Sequence, residues 1–287
     1  MKLPKIILSC LILQLLILTP SPGLAKWQIS TVDSDDDTGY YTSIAVDQNG
    51  TPQISYYTGS FVGEYCQVAV DSSNRPQIVY YDWLNSDLKY ARWNGTSWEF
   101  QIIDSTGDVG QFCSITLDKN NYPHLAYYDW TNDNLKYARW TGSSWNIQTI
   151  DDNANDVGLY TAIKLDANEY PHISYLDWTL GNLKYAKWNG AIWIISEVDF
   201  GSSFVGEYNS LTFDNTGNSN ISYYDSTVSD LKFARWNGIS WSTSTVETAG
   251  ELGLYSSLKI DNCSRPHIAY FDYTNATLKY TSWNGTS

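Results

Sequence analysis

Short apolar segments alternate with polar turns along the chain, and this pattern returns every 47 or 48 residues. The clearest landmark of the repeat is Leu-Lys-Tyr or Leu-Lys-Phe, which begins at Leu88, Leu135, Leu183, Leu231 and Leu278. A period of this size is typical of solenoids, propellers and repeat arrays. No segment after residue 25 keeps a 3.6-residue apolar period, so we expect almost no helix. Each repeat is therefore predicted to be a unit of β-structure.

The unit from 112 to 151 shows how the pattern predicts four strands. Residues 112–118 are apolar and β-branched, 124–129 are apolar throughout, and 135–140 and 145–151 each follow a polar turn. A strand that is apolar throughout is expected where both faces of a sheet are buried. Four short antiparallel strands in about 47 residues form one propeller blade. We call these positions strands A to D, in chain order.

The copies of the unit predict five full blades and one two-stranded half-blade. Strands A and B occur six times, at 40–57, 65–82, 112–129, 160–177, 208–225 and 255–272. Strands C and D are complete four times, at 88–104, 135–151, 183–199 and 231–247. After Tyr57 the chain continues directly into the next strand A, without strands C and D. A gapped six-bladed ring and a five-bladed ring with an extra hairpin both fit this pattern.

The fifth pair of strands C and D is divided between the two ends of the chain. The last repeat stops after its strand C, whereas residues 27–33 begin with Trp27 and end with Asp33, like 98–104. We therefore predict that 27–33 is strand D of the last blade and closes the ring. Closure would remove the exposed edges that an open array leaves. An open or truncated array is the alternative.

Residues 1–25 have the pattern of a secretory signal peptide. Lys2 and Lys5 precede the apolar stretch 6–18, and 23–25 supply the small residues of a cleavage site. The apolar stretch is shorter than the ~20 residues that a transmembrane helix needs. We expect a single domain at 26–287, secreted or on the cell surface, monomeric and without a transmembrane segment.

Charge and polar side chains exclude some classes of function. The chain has 31 acidic and 17 basic residues, a net charge of −14, which argues against nucleic acid as a partner. His124, His172 and His267 follow a proline at the start of strand B, where other repeats have Gln or Asn, so we expect hydrogen bonding rather than metal binding. The Trp-Asn-Gly-x-Ser-Trp hairpins are expected to form cross-strand tryptophan pairs.

Three cysteines follow the predicted signal peptide, and none has the spacing of a zinc site. Cys66 and Cys113 hold one position in successive copies of strand A, where other copies have Thr, Asn or Ser. This position predicts a polar ring along the central channel. A disulfide between adjacent blades is the alternative.

Unit length, strand order and the pattern PHISYYD…LKYA…W resemble the sialidase-like, BNR-type propeller repeats of secreted bacterial and archaeal proteins. The resemblance covers 27–287, but residues 43–50 depart from the family's Asp-box, Ser-x-Asp-x-Gly-x-Thr-Trp. It implies a propeller and raises glycoside hydrolysis as a function. A sialidase-like site would need converging arginines. Those of this chain occupy equivalent positions of successive repeats, namely Arg92, Arg139 and Arg235 in strand C and Arg75 and Arg265 in the A–B turn. We assign no catalytic residue.

Loops sorted by face give the main functional signal. The D–A and B–C loops emerge on one face, which holds most of the acidic residues and no Lys or Arg. Beside the aspartate that ends strand B, this face presents an aromatic residue in four repeats, in the pairs Asp82–Trp83, Asp129–Trp130, Asp177–Trp178 and Asp272–Tyr273. Carboxylates beside aromatic rings suit cations, basic peptides or stacked glycans. The alternative is that these aspartates cap strand ends and the rings cover the blade rim.

Asp33, Asp35 and Asp37 form an oxygen-rich stretch that is a possible Ca²⁺ site without the full EF-hand pattern, and we expect no other cofactor. We predict a secreted binding propeller, lectin-like or protein-binding, whose acidic and aromatic face engages a glycan or an extracellular protein several times over. A glycoside hydrolase of the sialidase-like type and a structural cell-surface repeat protein are the alternatives. Whether the protein is an enzyme stays open, with a non-enzymatic role favoured.

Overall fold

A computed structural model describes residues 40–58, 62–152, 154–201 and 204–285. This part of the chain contains 21 β-strands and no α-helix, so the all-β prediction is confirmed. None of its elements is a helix that could span a membrane. The predicted signal peptide, the predicted strand 27–33 and the possible calcium ligands Asp33, Asp35 and Asp37 lie outside the described residues.

The strands form six antiparallel sheets, each made of consecutive strands in chain order. The first sheet has β1 (Tyr40–Val46) and β2 (Pro52–Tyr57). The second has β3 (Val62–Val70), β4 (Pro76–Asp82), β5 (Asp87–Trp93) and β6 (Trp98–Asp104). The third has β7 (Val109–Leu117), β8 (Pro123–Asp129), β9 (Asn134–Trp140) and β10 (Trp145–Asp151).

The fourth sheet has β11 (Val157–Leu165), β12 (Pro171–Asp177), β13 (Asn182–Trp188) and β14 (Trp193–Asp199). The fifth has β15 (Val205–Phe213), β16 (Ser219–Asp225), β17 (Asp230–Trp236) and β18 (Trp241–Glu247). The sixth has β19 (Leu252–Ile260), β20 (Pro266–Asp272) and β21 (Thr277–Ser282). The described residues therefore supply four complete blades, one three-stranded sheet and one two-stranded sheet.

The second strand of each complete blade lies at the centre of the core. All seven residues of β4, β8, β12 and β16 are buried, as their largely apolar sequence predicts. The first strands pack against one another in succession, from β1 and β3 through β7, β11 and β15 to β19. Neighbouring sheets consequently share a core, and each junction is built from the same repeated residues.

A glycine and a leucine form a close contact at four of the junctions, whereas Gly63, at the junction of the first two sheets, would meet only Tyr57 at 3.9 Å. Gly110 lies at the start of β7 with φ of 111°, and a Cβ there would be 2.8 Å from the Cα of Leu88 in the preceding sheet. Gly158 meets Leu135 at the same 2.8 Å. Only glycine combines this conformation with so close an approach. The glycine at the start of the first strand and the leucine of the Leu-Lys-Tyr landmark thus contact each other across the junction.

The lysine of Leu-Lys-Tyr links two sheets through carboxylates. Lys184 Nζ lies 2.5 Å from Asp151 Oδ2 of the preceding sheet and 3.8 Å from Asp177 Oδ2 of its own. The Tyr175 hydroxyl donates to the same Asp151 oxygen at 2.7 Å, and the lysine lies 5.8 Å from the centre of the Tyr175 ring. Lys136, Lys232 and Lys279 form the equivalent links. Four junctions therefore contain a buried or partly buried cation with its counter-charges, whereas Lys89 pairs, among the described residues, only with Asp82 of its own sheet.

Tryptophans fill the outer part of the junctions. The predicted cross-strand pairs are confirmed, with ring centres 5.5–5.8 Å apart and edge-to-face geometry, at Trp93–Trp98, Trp140–Trp145, Trp188–Trp193 and Trp236–Trp241. The second tryptophan also packs on a tyrosine of the preceding sheet, at 5.0–5.5 Å, in Trp145–Tyr90, Trp193–Tyr137 and Trp241–Tyr185. These tryptophans hold blades together.

Cys66 and Cys113 are buried free thiols, so the disulfide alternative is wrong. Their sulfurs donate to the backbone carbonyls of Tyr41 and Tyr65, each in the preceding sheet, at 3.0 and 3.2 Å. Thr161, Asn209 and Ser256 donate to the preceding sheet in the same way. The polar set therefore forms hydrogen bonds between sheets. Burial raises the pKa of the Cys66 thiol to about 11, which keeps it protonated.

Each histidine lies between an aspartate and a tyrosine, and three sheets each contain one such Asp–His–Tyr chain. His124 Nδ1 is 2.5 Å from the Tyr137 hydroxyl, and its Nε2 is 3.8 Å from Asp118. The other two chains are Asp166–His172–Tyr185 and Asp261–His267–Tyr280. In the second sheet Gln77 accepts from Tyr90 at the same position. The hydrogen-bonding prediction is confirmed, and the recurrence marks these chains as scaffold.

Replacing Lys184 with Met should lower the free energy of unfolding by about 3–5 kcal/mol, because Asp151 and Asp177 stay buried after losing their shared cation. Lys187→Met on the same strand is the matched control, since Lys187 forms no ion pair with a described residue. It should change stability by less than about 0.5 kcal/mol. Urea unfolding followed by tryptophan fluorescence measures both. Equal effects would show that the link contributes nothing.

Acid should destabilise the fold through His124 and His172. Burial lowers the pKa of both from 6.5 to about 4. Below pH 6.5 the unfolded chain takes up protons that the folded chain refuses, so stability falls as the pH drops from 6.5 towards 4. At pH 5 the loss should be about 1–2 kcal/mol per histidine.

The double variant His124→Gln/His172→Gln tests this pH dependence, because glutamine already serves this position in Gln77. Unfolding curves at pH 7, 6 and 5 should show a shallower loss of stability for the variant than for the parent chain. Parallel pH profiles would mean that these imidazoles do not titrate with the pKa values that burial gives them.

Candidate functional site

The two sets of loops predicted to share a face do so in the structure. The start of each first strand pairs with the end of the second, as in Val109 with Asp129. Backbone hydrogen bonds also join the loops, since Trp130 N donates to Asp108 O at 2.9 Å and Trp178 N donates to Asp156 O at 2.8 Å. We call this surface the loop face. It comprises 83–86, 130–133, 178–181, 226–229 and 273–276 with 105–108, 152, 154–156, 200–201, 204 and 248–251.

The four aspartates predicted at this face are buried, and they order the loops. Asp82, Asp129, Asp177 and Asp272 are 0–3 % exposed. Asp129 accepts from the backbone N–H of Asn132 at 3.1 Å, and Asp177 accepts from that of Leu180 at 2.9 Å. Each also faces the lysine of its own sheet. Their structural role is clear, and a direct contact with a ligand stays a prediction.

The aromatic residues beside them are exposed. Trp83, Trp130, Trp178 and Tyr273 expose 53, 55, 47 and 61 % of their surface. Trp130 packs edge-to-face on Tyr128 at 5.9 Å, and Trp178 packs on Phe204 at 4.9 Å. About half of each ring is thus available to a ligand, while the backbone that carries it is fixed.

A second set of aromatic residues lies on the first strands of the sheets, and the sequence pattern did not predict it. One aromatic residue from the first strand of each sheet packs on the next at a tilt, with ring centres 4.4–4.9 Å apart. We call this set the aromatic arc, and it consists of Tyr41, Tyr65, Phe112, Tyr160, Tyr208 and Tyr255. All six have φ of 50–53°, a conformation that aromatic residues rarely adopt. They lie where the first strand is bulged against the second.

Carboxylates lie beside the arc. Burial raises the pKa of Glu64 and of Glu207, and the Tyr160 hydroxyl donates to Glu207 Oε1 at 3.5 Å. Asp108 and Asp156 accept from the hydroxyls of Tyr81 and Tyr128 at 2.8 and 2.7 Å. Burial and the Glu64 carboxylate raise the pKa of Tyr41.

The loops of this face hold carboxylates and no Lys or Arg, so their net charge is negative. The arginines do not converge, as the sequence predicted, because Arg92 pairs with Glu99, Arg235 with Asp214 and Arg265 with Asp261, each in a different sheet. Among the described residues no group of His, Cys, Asp or Glu is placed to hold a metal ion. The site that the geometry offers is therefore a set of exposed rings on an acidic surface.

Comparison with known proteins shows the fold. No family model matches the chain, and no curated protein matches it. A GH93 α-L-arabinofuranosidase of Fusarium graminearum is similar in structure, with TM-score 0.55, 12% identity and coverage of 85% of this chain and 92% of that one. A Hadza microbial sialidase gives TM-score 0.53, 11% identity and coverage of 79% and 57%.

A fucose-specific lectin from Aleuria aurantia gives TM-score 0.51, 11% identity and coverage of 84% of this chain and 86% of that one. At these identities the likeness concerns the fold alone. It supports the propeller architecture that the repeat predicts, built here from four-stranded antiparallel blades.

Proposed function

We propose that the protein binds glycans, and that sugar rings stack on the exposed aromatic residues of the loop face. The observation that carries this proposal is the recurrence of a half-exposed ring at one loop position, in Trp83, Trp130, Trp178 and Tyr273. Aromatic rings offer a sugar an apolar surface for its C–H groups, and nearby polar groups can bind its hydroxyls.

The fifth sheet shows that the fold does not require these rings. Ser226 takes the aromatic position there, and its backbone N–H donates to Phe204 O at 2.9 Å, as Trp130 N does to Asp108 O. The link of Lys232 to Asp199 and Asp225 is intact, at 2.5 and 3.5 Å. A loop without the aromatic residue is therefore ordered in the same way. The rings in the other four loops need a reason beyond folding, and binding supplies one.

Charge selects the kind of glycan. Without a Lys or Arg, the loop face would repel sulfated or uronate-rich chains, so neutral or cationic sugars are the ligands that we propose. An arabinofuranosidase with arabinobiose and a fucose-specific lectin show that this fold carries sugar recognition in other proteins. Four similar rings on one face would raise the avidity of individually weak contacts.

Two finer predictions accompany this function. We propose that the blades surround one channel as a closed ring, which the successive packing of the first strands from β1 to β19 supports. We also propose that the protein is secreted and monomeric, on the pattern of residues 1–25 and the acidic composition. Glycoside hydrolysis is a second candidate function, since a carboxyl with a raised pKa, such as Glu64 or Glu207, suits a general acid.

The triple variant Trp83→Ser/Trp130→Ser/Trp178→Ser, which copies Ser226, should keep the fold and lose at least about tenfold in apparent affinity on a neutral-glycan array. Phe100→Ala/Ile102→Ala is the matched control, because these exposed residues lie on β6, away from the loop face. Circular dichroism confirms folding of both variants.

The outcomes separate the candidate functions. Parent-like binding by the triple variant would refute the stacking proposal. Turnover of a fluorogenic glycoside panel without stable binding would favour the hydrolase. If neither binding nor turnover is detected, a structural role or a protein ligand would remain as the explanation. Repeating the array with EDTA tests Asp33, Asp35 and Asp37, since a calcium-bridged ligand would be released.

A further inference from the structure

A cavity of about 270 Å³ lies between the third and fourth sheets, at the ends of the strands that are opposite the loop face. Arg139, Asn146 and Gln148 of the third sheet form one wall, and Tyr170 and Trp188 of the fourth sheet form the other. Pockets for drug-sized ligands have about 300–1,000 Å³, so this cavity suits a molecule no larger than one sugar ring.

Arg139 forms no ion pair with a described residue, although arginines at the same position of other sheets do. In the second sheet, Arg92 pairs with Glu99 at 2.6 Å across the last two strands. The residue opposite Arg139 is Asn146, which carries no charge. In the fifth sheet the equivalent arginine pairs with Asp214. The third sheet therefore has a strand-C arginine without its counter-charge, in the wall of a cavity.

The carboxylates that line the cavity already have partners. Glu169 pairs with Lys119 at 2.8 Å and also accepts the backbone N–H of that lysine at 2.7 Å. Asp118 accepts two backbone N–H groups of its own turn, at 2.9 and 2.8 Å. These contacts leave the exposed guanidinium of Arg139 as the group that an incoming anion meets.

A buried hydrogen-bond donor lies in the same wall. His124 is 2 % exposed, lines the cavity and lies opposite Arg139 in the strand pairing. The Tyr137 hydroxyl donates to Nδ1, so Nε2 carries the hydrogen of the neutral ring. This Nε2 has no hydrogen-bond partner among the described residues. His267 has a similar nitrogen, but Ser282 takes the place of the arginine there.

We propose that this cavity binds a single uronic acid, whose carboxylate pairs with Arg139 in the position that Glu99 fills beside Arg92. Arginine–carboxylate pairs are short and often bidentate, which fixes the orientation of the ligand. The partly exposed ring of Trp188 in the opposite wall offers an apolar surface to the sugar ring, and Gln148 can bind a hydroxyl. The site is independent of the loop face, whose carboxylates would repel the same ligand.

Isothermal titration calorimetry of the full chain with glucuronate and glucose tests the role of the carboxylate, because the two sugars share one ring. Glucose should bind at least about tenfold more weakly than glucuronate, since it cannot pair with the guanidinium. Arg139→Gln should weaken glucuronate binding by about tenfold or more. Arg92→Gln, the same change in the second sheet, is the matched control and should bind like the parent.

The results separate this site from the loop face. The triple variant Trp83→Ser/Trp130→Ser/Trp178→Ser should bind glucuronate with the parent affinity. Equal affinity for glucose and glucuronate, or parent-like binding by Arg139→Gln, would overturn the proposal. Failure of both glucuronate and galacturonate to bind at millimolar concentrations would overturn it as well.

Asn146→Glu tests where the ligand carboxylate lies without removing a structural contact. The introduced carboxylate would face Arg139 as Glu99 faces Arg92, so it should occupy the site and weaken glucuronate binding by about tenfold or more. Tm should change by less than about 2 °C, because an exposed ion pair contributes little to stability. Ser242→Glu, the same charge change opposite Arg235, is the matched control and should not alter binding. Undiminished binding by Asn146→Glu would show that the ligand does not pair with Arg139.

Discussion

The structure depends on the junction at which the first strand of one sheet lies against the third strand of the sheet before it. A four-stranded sheet with an apolar second strand cannot cover both of its faces alone, so each unit needs its neighbours. Gly110 on Leu88 sets the closest approach of two sheets. The lysine links, the tryptophan contacts and the packed rings of the aromatic arc all require neighbouring sheets to lie this close.

This dependence explains why many chemically suggestive residues are scaffold. The Asp–His–Tyr chains have the composition of catalytic triads, yet they recur in three sheets, and Gln77 replaces the histidine in another. The buried aspartates of the loop face accept backbone N–H groups and face lysines. The positions available for function are those whose residue varies without disturbing a junction. One such position holds Trp130 in one sheet and Ser226 in another.

The sequence predicts contacts within a unit well and contacts between units poorly. Strand order, tryptophan hairpins and the shared face of two sets of loops follow from periodicity inside 47 or 48 residues. The link from Lys184 to Asp151 and the packing of the Tyr65 ring on the Phe112 ring join different units. Both depend on the rotation between sheets, which no local pattern encodes.

The ends of the repeat and its binding surface are connected through geometry. Rings on separate loops raise avidity only if the loops keep fixed distances, and those distances accumulate from one junction to the next. An open junction between the last and first sheets would let Tyr273 move relative to Trp83, while the positions of Trp130 and Trp178 stay fixed by complete blades. The rigidity of the junctions therefore affects how the outermost rings are presented to a glycan, as well as the stability of the fold.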